Sequence, residues 1–177
     1  MFSSIKKIAK RLLFASDYAT ERYLYHSDRF FDSNRIMRLY HLFWIKRIQH
    51  SFGSSIPLGA FRGKNPTFPH GLYGIFISSR AVLGKNIVFF HHVTIGSNTL
   101  PNSKKPGAPT IGDNCYIGAG AKIIGGIKIG DNVRVGANCV VFDDVPSNST
   151  VVAQPYRVVS KSRALDNSFV TIQNFKK

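Results

Sequence analysis

The stretch "IGDNCYIGAGAKIIGGIKIGDNVRVGANCV", residues 111–140, divides into five sixes, each opening on Ile or Val and four of them carrying Gly second. The same frame runs back through GLYGIF, ISSRAV, LGKNIV, FFHHVT and IGSNTL from Gly71, and forward through VFDDVP, SNSTVV and AQPYRV to Val158. With the ten residues 101–110, "PNSKKPGAPT", set aside, it holds for thirteen sixes without a remainder. A six-residue repeat with an aliphatic first position is the signature of a hexapeptide β-helix. Each six supplies one short strand and one corner, and three make a triangular coil of eighteen residues. The first position then points inward (Ile77, Leu83, Ile95, Ile111, Ile117, Ile123, Ile129, Val135), and so does the fifth (Ala81, Ile87, Val93, Cys115, Ala121, Ile127, Val133, Cys139). Gly or Asn near the corners permits the backbone angles of a tight turn. Stacking by eighteen predicts Ile111 over Ile129, Ile117 over Val135 and Ile123 over Val141, with coils ~4.8 Å apart.

Both cysteines occupy fifth positions, which makes them small core residues. They form neither a disulfide framework nor a CxxC metal pair. The ten-residue break does not fit inside a coil and is expected to be extruded as a loop. Its Lys104 and Lys105 are either phosphate contacts or part of a merely solvated loop.

Ahead of the repeats the period is helical. "IKKIAKRLLFA" puts Ile5, Ile8, Leu12 and Leu13 on one stripe flanked by Lys6, Lys7, Lys10 and Arg11. This first helix either packs its stripe away or lies as a basic interfacial helix on anionic lipid. "DSNRIMRLYHLFWIKRIQHSFG" predicts another helix, capped by Asp32 or Ser33, with Ile36, Leu39, Tyr40, Phe43 and Ile48 as its packing stripe and Gly53 after its end. The expected organisation is a helical region over 1–54, a β-helix domain over 55–159 with the extruded loop at 101–110, and a tail over 160–177.

The chain has 177 residues, with 24 Lys+Arg against 9 Asp+Glu and a formal charge of +15. A basic balance alone suits nucleic acid, an acidic glycan, a phosphorylated ligand or a membrane surface equally. The cations are spread along the chain and accompany no nucleic-acid motif. No apolar run reaches the ~18 residues of a membrane span, and the N-terminus does not read as a cleaved signal. A cytoplasmic protein, with an inner-membrane peripheral location as the variant, is the expectation.

His70, in "PTFPHGLYGIFIS", has no Asp or Glu within seven residues on either side, and by itself is a general base or a ring filling a turn. His91 and His92 take the third and fourth positions of FFHHVT, at a corner rather than in the core. Adjacent rings seldom converge on one metal, so no metal site is expected.

Together "IPLGAFRGKNPTFPHG", "FFHHVTIGS", the loop and "PTIGDNCYIGAGAKIIGGIKIGDNVRVGANCVVFDDVPSNSTVVAQPYRVV" resemble the serine acetyltransferase branch of the left-handed β-helix hexapeptide acyltransferases, over roughly residues 56–159. The fold class that follows is mainly β, a left-handed parallel β-helix with an N-terminal α-helical region and an extruded loop. The resemblance implies a homotrimer that binds acetyl-CoA in a groove between neighbouring β-helices. It makes His70 the catalytic base and assigns the cofactor side to Gly96, Ser97, Ala119, Gly120, Gly136, Ala137, Pro155, Arg157 and Lys161.

Three departures separate the chain from the serine pattern. The Asp that orients the base is replaced by Ser55, the Asp before the base by Pro69, and an Arg-His pair that grips the serine carboxylate by Gly107 and Ala108. Ser55, Tyr73, His91 and His92 are therefore candidates for orienting the base or lining an acceptor pocket. The variants "PHGLYGI", "VTIGS" and "GAPTIGDN" look more like members that acetylate sugar hydroxyls of capsule, exopolysaccharide or lipopolysaccharide. The expectation is an acetyl-CoA-dependent O-acetyltransferase acting on a glycan or nucleotide-sugar hydroxyl, with serine O-acetyltransferase as the alternative. A non-catalytic scaffold and a nucleic-acid-binding protein are the readings from other classes.

Overall fold

The computed structural model describes residues 15–153. The helical stripe proposed over residues 5–13 and the sites Pro155, Arg157 and Lys161 lie outside them. Among these residues two helices, α1 (Ala15–Asp32) and α2 (Arg35–Ser51), precede eleven short strands, β1 (Phe76–Ile77) to β11 (Thr150–Val151). The strands form three parallel ladders, β1-β4-β7-β10, β3-β6-β9-β11 and β2-β5-β8, which are the three walls of the coil.

The registers are those the repeat dictates. Ile111 pairs with Ile129, Ile117 with Val135 and Ile123 with Val141. Every first-position residue named above is buried, and so are the fifth-position residues except the half-buried Ala81. Cys115 and Cys139 are free and buried, and burial pushes the Cys115 thiol up. Across the break, Thr94 pairs with Lys122 and Val82 with Thr110, so the extra residues leave the ladders intact. The extruded loop is pinched where Asn98 and Gly107 exchange backbone hydrogen bonds of 2.8 Å. It folds back onto the coil: Gly126 N donates to Lys105 O at 3.0 Å, and Lys105 Nζ lies 2.8 Å from Asp144. Lys105 is thus committed within the chain, while Lys104 is exposed.

One corner shows why Asn recurs. Asn86, Asn114, Asn132 and Asn148 all have φ between 54° and 61°, a region that Asn tolerates better than most side chains. Asn86 Nδ2 donates to Asn114 Oδ1 at 3.1 Å, and Asn132 Nδ2 to Asn148 Oδ1 at 3.0 Å. Beside them Asp113 accepts from Lys85 N and Asp131 from Asp113 N, each at 2.7 Å.

Two features depart from an unbroken frame of sixes. The first coil is long, since Ser55 pairs with Phe76 and Thr67 with Val88. The last is short: Ile129 pairs with Val145 and Arg134 with Thr150, a step of sixteen rather than eighteen. The inward residues there are Val145 and Val151 instead of Ser147 and Ala153, because a half-buried Val stabilises a position that Ser and Ala do not.

The helices correct two expectations. Asn34, not Asp32 or Ser33, caps α2: its side chain accepts from Met37 N at 3.0 Å, while Asp32 ends α1 and pairs with Arg62 at 2.7 Å. The buried face of α2 is His41, Ile45, Ile48 and Gln49, whereas Ile36, Leu39, Tyr40 and Phe43 face outward. The inversion comes from α1, which offers a histidine: His26 and His41 meet Nδ1 to Nδ1 at 2.7 Å, one imidazole donating to the other. Trp44 stacks on His26, and the Arg22 guanidinium sits 3.5 Å above the Trp44 ring. Gln49 Nε2 donates to Ile56 O at 2.6 Å and ties the hairpin to the first coil.

Burial, then the charges of His41 and Arg22, hold the His26 pKa down at about 4 from 6.5. A depressed histidine binds fewer protons folded than unfolded, so its contribution is intact above pH 6.5 and is lost as pH falls toward 4. The wild type should lose about 2 kcal/mol more between pH 7 and 4.5 than His26→Asn does. Denaturant unfolding at the two pH values measures this, and equal losses would refute it.

Candidate active site

His70 lies in the turn that ends the first coil, exposed, beside two left-handed glycines, Gly71 and Gly74. With Pro69, Tyr73, His91 and His92 it lines an open recess of about 430 Å³. The ring of His70 is 5.3 Å from that of His91 at 82° and 5.4 Å from that of Phe90. No lining residue is acidic.

Three of the four accessory candidates gather here, because successive coils stack their corners. His92 N donates to Tyr73 O at 2.8 Å, Gly120 N to His91 O at 3.0 Å, and Asn138 N to Ala119 O at 2.8 Å. Tyr73, His91, Ala119 and Ala137 therefore share one corner column, with Gly120 and Gly136 at its edge. Four of the nine expected cofactor residues, Ala119, Gly120, Gly136 and Ala137, thus lie along or beside the column from the His70 recess. Gly120 holds φ 70°, and a Cβ there would collide with Asn138 Oδ1. A Cβ on Gly74, at φ 61°, would collide with His92 Nδ1. The chain passes close at both places, and glycine makes that passage.

The His91 side chain is half-buried, and its Nδ1 is buried with no hydrogen-bond partner. An orphaned polar atom of this kind costs about 1–3 kcal/mol unless it is satisfied. Phe52 packs edge-on against Tyr73 at 4.5 Å and fixes that ring at the mouth.

Ser55 is not part of this group. It lines a separate recess with Ser78, Thr94, Gly96 and Ser97, where Ser78 Oγ and Ser97 Oγ are 2.5 Å apart. Among the described residues the expected cofactor set thus falls on two corners, Gly96 and Ser97 at one and Ala119, Gly120, Gly136 and Ala137 at the other. Phe90 was not among the candidates. It sits in the second position of FFHHVT and bridges His70 to Tyr116, whose ring is 5.0 Å away. The doubled Phe was the available signal, since an outward aromatic on a repeat of small corners has no core to fill. Among the described residues no group of three or more His, Cys, Asp or Glu is arranged to hold a metal ion.

Residues 108–143 match the bacterial transferase hexapeptide family (six repeats). A serine acetyltransferase of Staphylococcus aureus is 37% identical over 118 residues, 66% of this chain and 54% of that protein. Serine acetyltransferase 5 of Arabidopsis thaliana is 44% identical over 113 residues, 64% of this chain and 35% of that one. The solved Neisseria gonorrhoeae serine acetyltransferase superposes with a TM-score of 0.61 at 30% identity, covering 89% of this chain and 59% of that structure. The chain spans about half the length of the Staphylococcus relative. The fold is the left-handed parallel β-helix. These relatives favour the serine reading over the sugar reading, and the expected kinship with polysaccharide enzymes finds no support in them.

Proposed function

We propose that this chain, whose repeat region belongs to the hexapeptide-repeat transferases, is an acetyl-CoA-dependent O-acetyltransferase in which His70 is the general base. The observation that carries the reading is the placement of an exposed imidazole at a recess on the same corner column as the glycine-rich turns at residues 119–120 and 136–137. Neutral His70 takes the proton of the acceptor hydroxyl as its oxygen attacks the thioester carbonyl. The tetrahedral intermediate collapses, the C–S bond breaks, and the imidazolium returns its proton to the leaving thiolate. An oxyanion needs N–H donors in place before charge develops, and the imidazoles of His91 and His92 line the same recess. In trimers of the kind the resemblance implies, a neighbouring copy completes the groove.

Serine is the acceptor that the relatives support. One observation favours a second. Among the described residues the recess has no carboxylate to meet an ammonium group and no Arg to meet a carboxylate, while an exposed Tyr73 lines it. That chemistry suits an uncharged sugar hydroxyl. A thiol-release assay with acetyl-CoA, run over serine, neutral glycans, acidic glycans and nucleotide sugars, decides between them. A serine kcat/KM at least about 100-fold above every sugar, roughly 3 kcal/mol of discrimination, establishes serine; the reverse order establishes the sugar. No release with any acceptor would overturn the transferase assignment.

A further inference from the structure

We infer that the outward face of α2 seats the protein on an anionic lipid surface. Four large apolar side chains at i, i+3, i+4 and i+7 stand in solvent there: Ile36 is 79% exposed, Leu39 65%, Tyr40 47% and Phe43 59%. A soluble helix normally turns such a stripe inward, and α2 does not, because its inner face is already taken by His41, Ile45, Ile48 and Gln49. Among the described residues the patch is therefore left uncovered, and patches of this kind mark interaction surfaces.

Charge selects the occupant. The sequence of α2, RIMRLYHLFWIKRIQHS, carries Arg35, Arg38, Lys46 and Arg47 and no Asp or Glu. The stripe continues one turn on into Arg47 and His50, with Lys46 beside them, all exposed. Trp44 packs edge-on against Phe43 and Tyr40, with ring centroids 5.5 and 6.5 Å apart, so three aromatic rings border the patch. Apolar side chains on a helix face, aromatic rings at its border and cations around them describe a helix lying in the plane of a lipid interface. At about 25 Å long, α2 would lie flat; among the described residues no helix is long and apolar enough to cross a membrane. A second copy packing α2 on α2 would instead oppose cation to cation with no acid on either helix. Anionic headgroups satisfy the cations, and acyl chains the stripe.

The surface is distinct from the His70 recess, so the inference stands apart from the proposed chemistry. Its test is sedimentation of the full chain with phosphatidylcholine vesicles, with and without about 30% phosphatidylglycerol. Binding should require the anionic lipid and weaken as salt rises. The exposed-site variant Ile36→Ser/Phe43→Ser should bind about tenfold or more weakly, and Lys46→Glu/Arg47→Glu similarly, each with unchanged circular dichroism. Unchanged binding in both variants would overturn the inference, and so would equal binding to neutral vesicles. Self-association of the wild type that Ile36→Ser/Phe43→Ser abolishes, without vesicle binding, would give the face to a second copy and overturn it as well.

Discussion

His70→Ala is expected to lower the rate of acetyl transfer by about a thousandfold while leaving the affinity for acetyl-CoA within about twofold of the wild type. The split follows from geometry. The imidazole lines the recess but makes no hydrogen bond within the described chain that the glycine-rich corners depend on. A base that acts only as the acceptor hydroxyl attacks contributes to the transition state and not to ground-state binding of the donor. Steady-state kinetics with calorimetric measurement of CoA binding tests both halves. Turnover retained within tenfold would remove His70 as the base, and lost CoA binding would make it a structural element of the donor site. Among the described residues no carboxylate lines the recess to hold one His70 tautomer. The nearest polar ring is His91, so His91→Phe should lower kcat more than it changes the KM for acetyl-CoA.

The second large effect is structural. Phe89→Ala should destabilise the protein by about 3–5 kcal/mol, read as a lower denaturant midpoint at unchanged m-value. Phe89 is fully buried at the start of FFHHVT, packed between Phe68 at 5.7 Å and Phe61 at 5.5 Å. These three rings close the wide first coil, where aliphatic side chains would leave a void. The chain leaving β3 (Val88–Phe89) carries His91 and His92 into the recess. Activity should therefore be lost at a lower temperature in this variant even though no residue of the recess has changed. A loss under about 1 kcal/mol would mean that the coil collapses around the gap.

How much was legible differs between the two halves of the molecule. The inside of the coil accepts only side chains of fixed size at fixed intervals, so Ile95, Ile117 and Ile123 write the period into the chain and the registers follow. The Asn corners and the bypassed loop are equally readable, since each meets a backbone requirement at one position. The closing coil was misread by two residues, because Val141, Val145 and Val151 satisfy a shortened turn as well as a full one. The hairpin misled for a different reason. Its apolar stripe is where periodicity puts it, but burial depends on what the partner helix presents, and α1 presents His26.

At the site, the corner column from Tyr73 through His91 to Ala119 and Ala137 is arithmetic on the repeat. Ser55 escaped that arithmetic because the first coil holds three extra residues, Ser55 pairing with Phe76, which sets it beside Ser78 and Ser97 instead of His70. By itself the sequence determined the β-helix, its wall residues and the histidine to suspect, because each is a local demand repeated at a fixed interval. Only the tertiary structure decided which face of α2 stays in water, that the His91 Nδ1 is buried without a partner, and that no acid among the described residues lines the recess. Those are outcomes of packing between segments far apart in sequence, and no period encodes them.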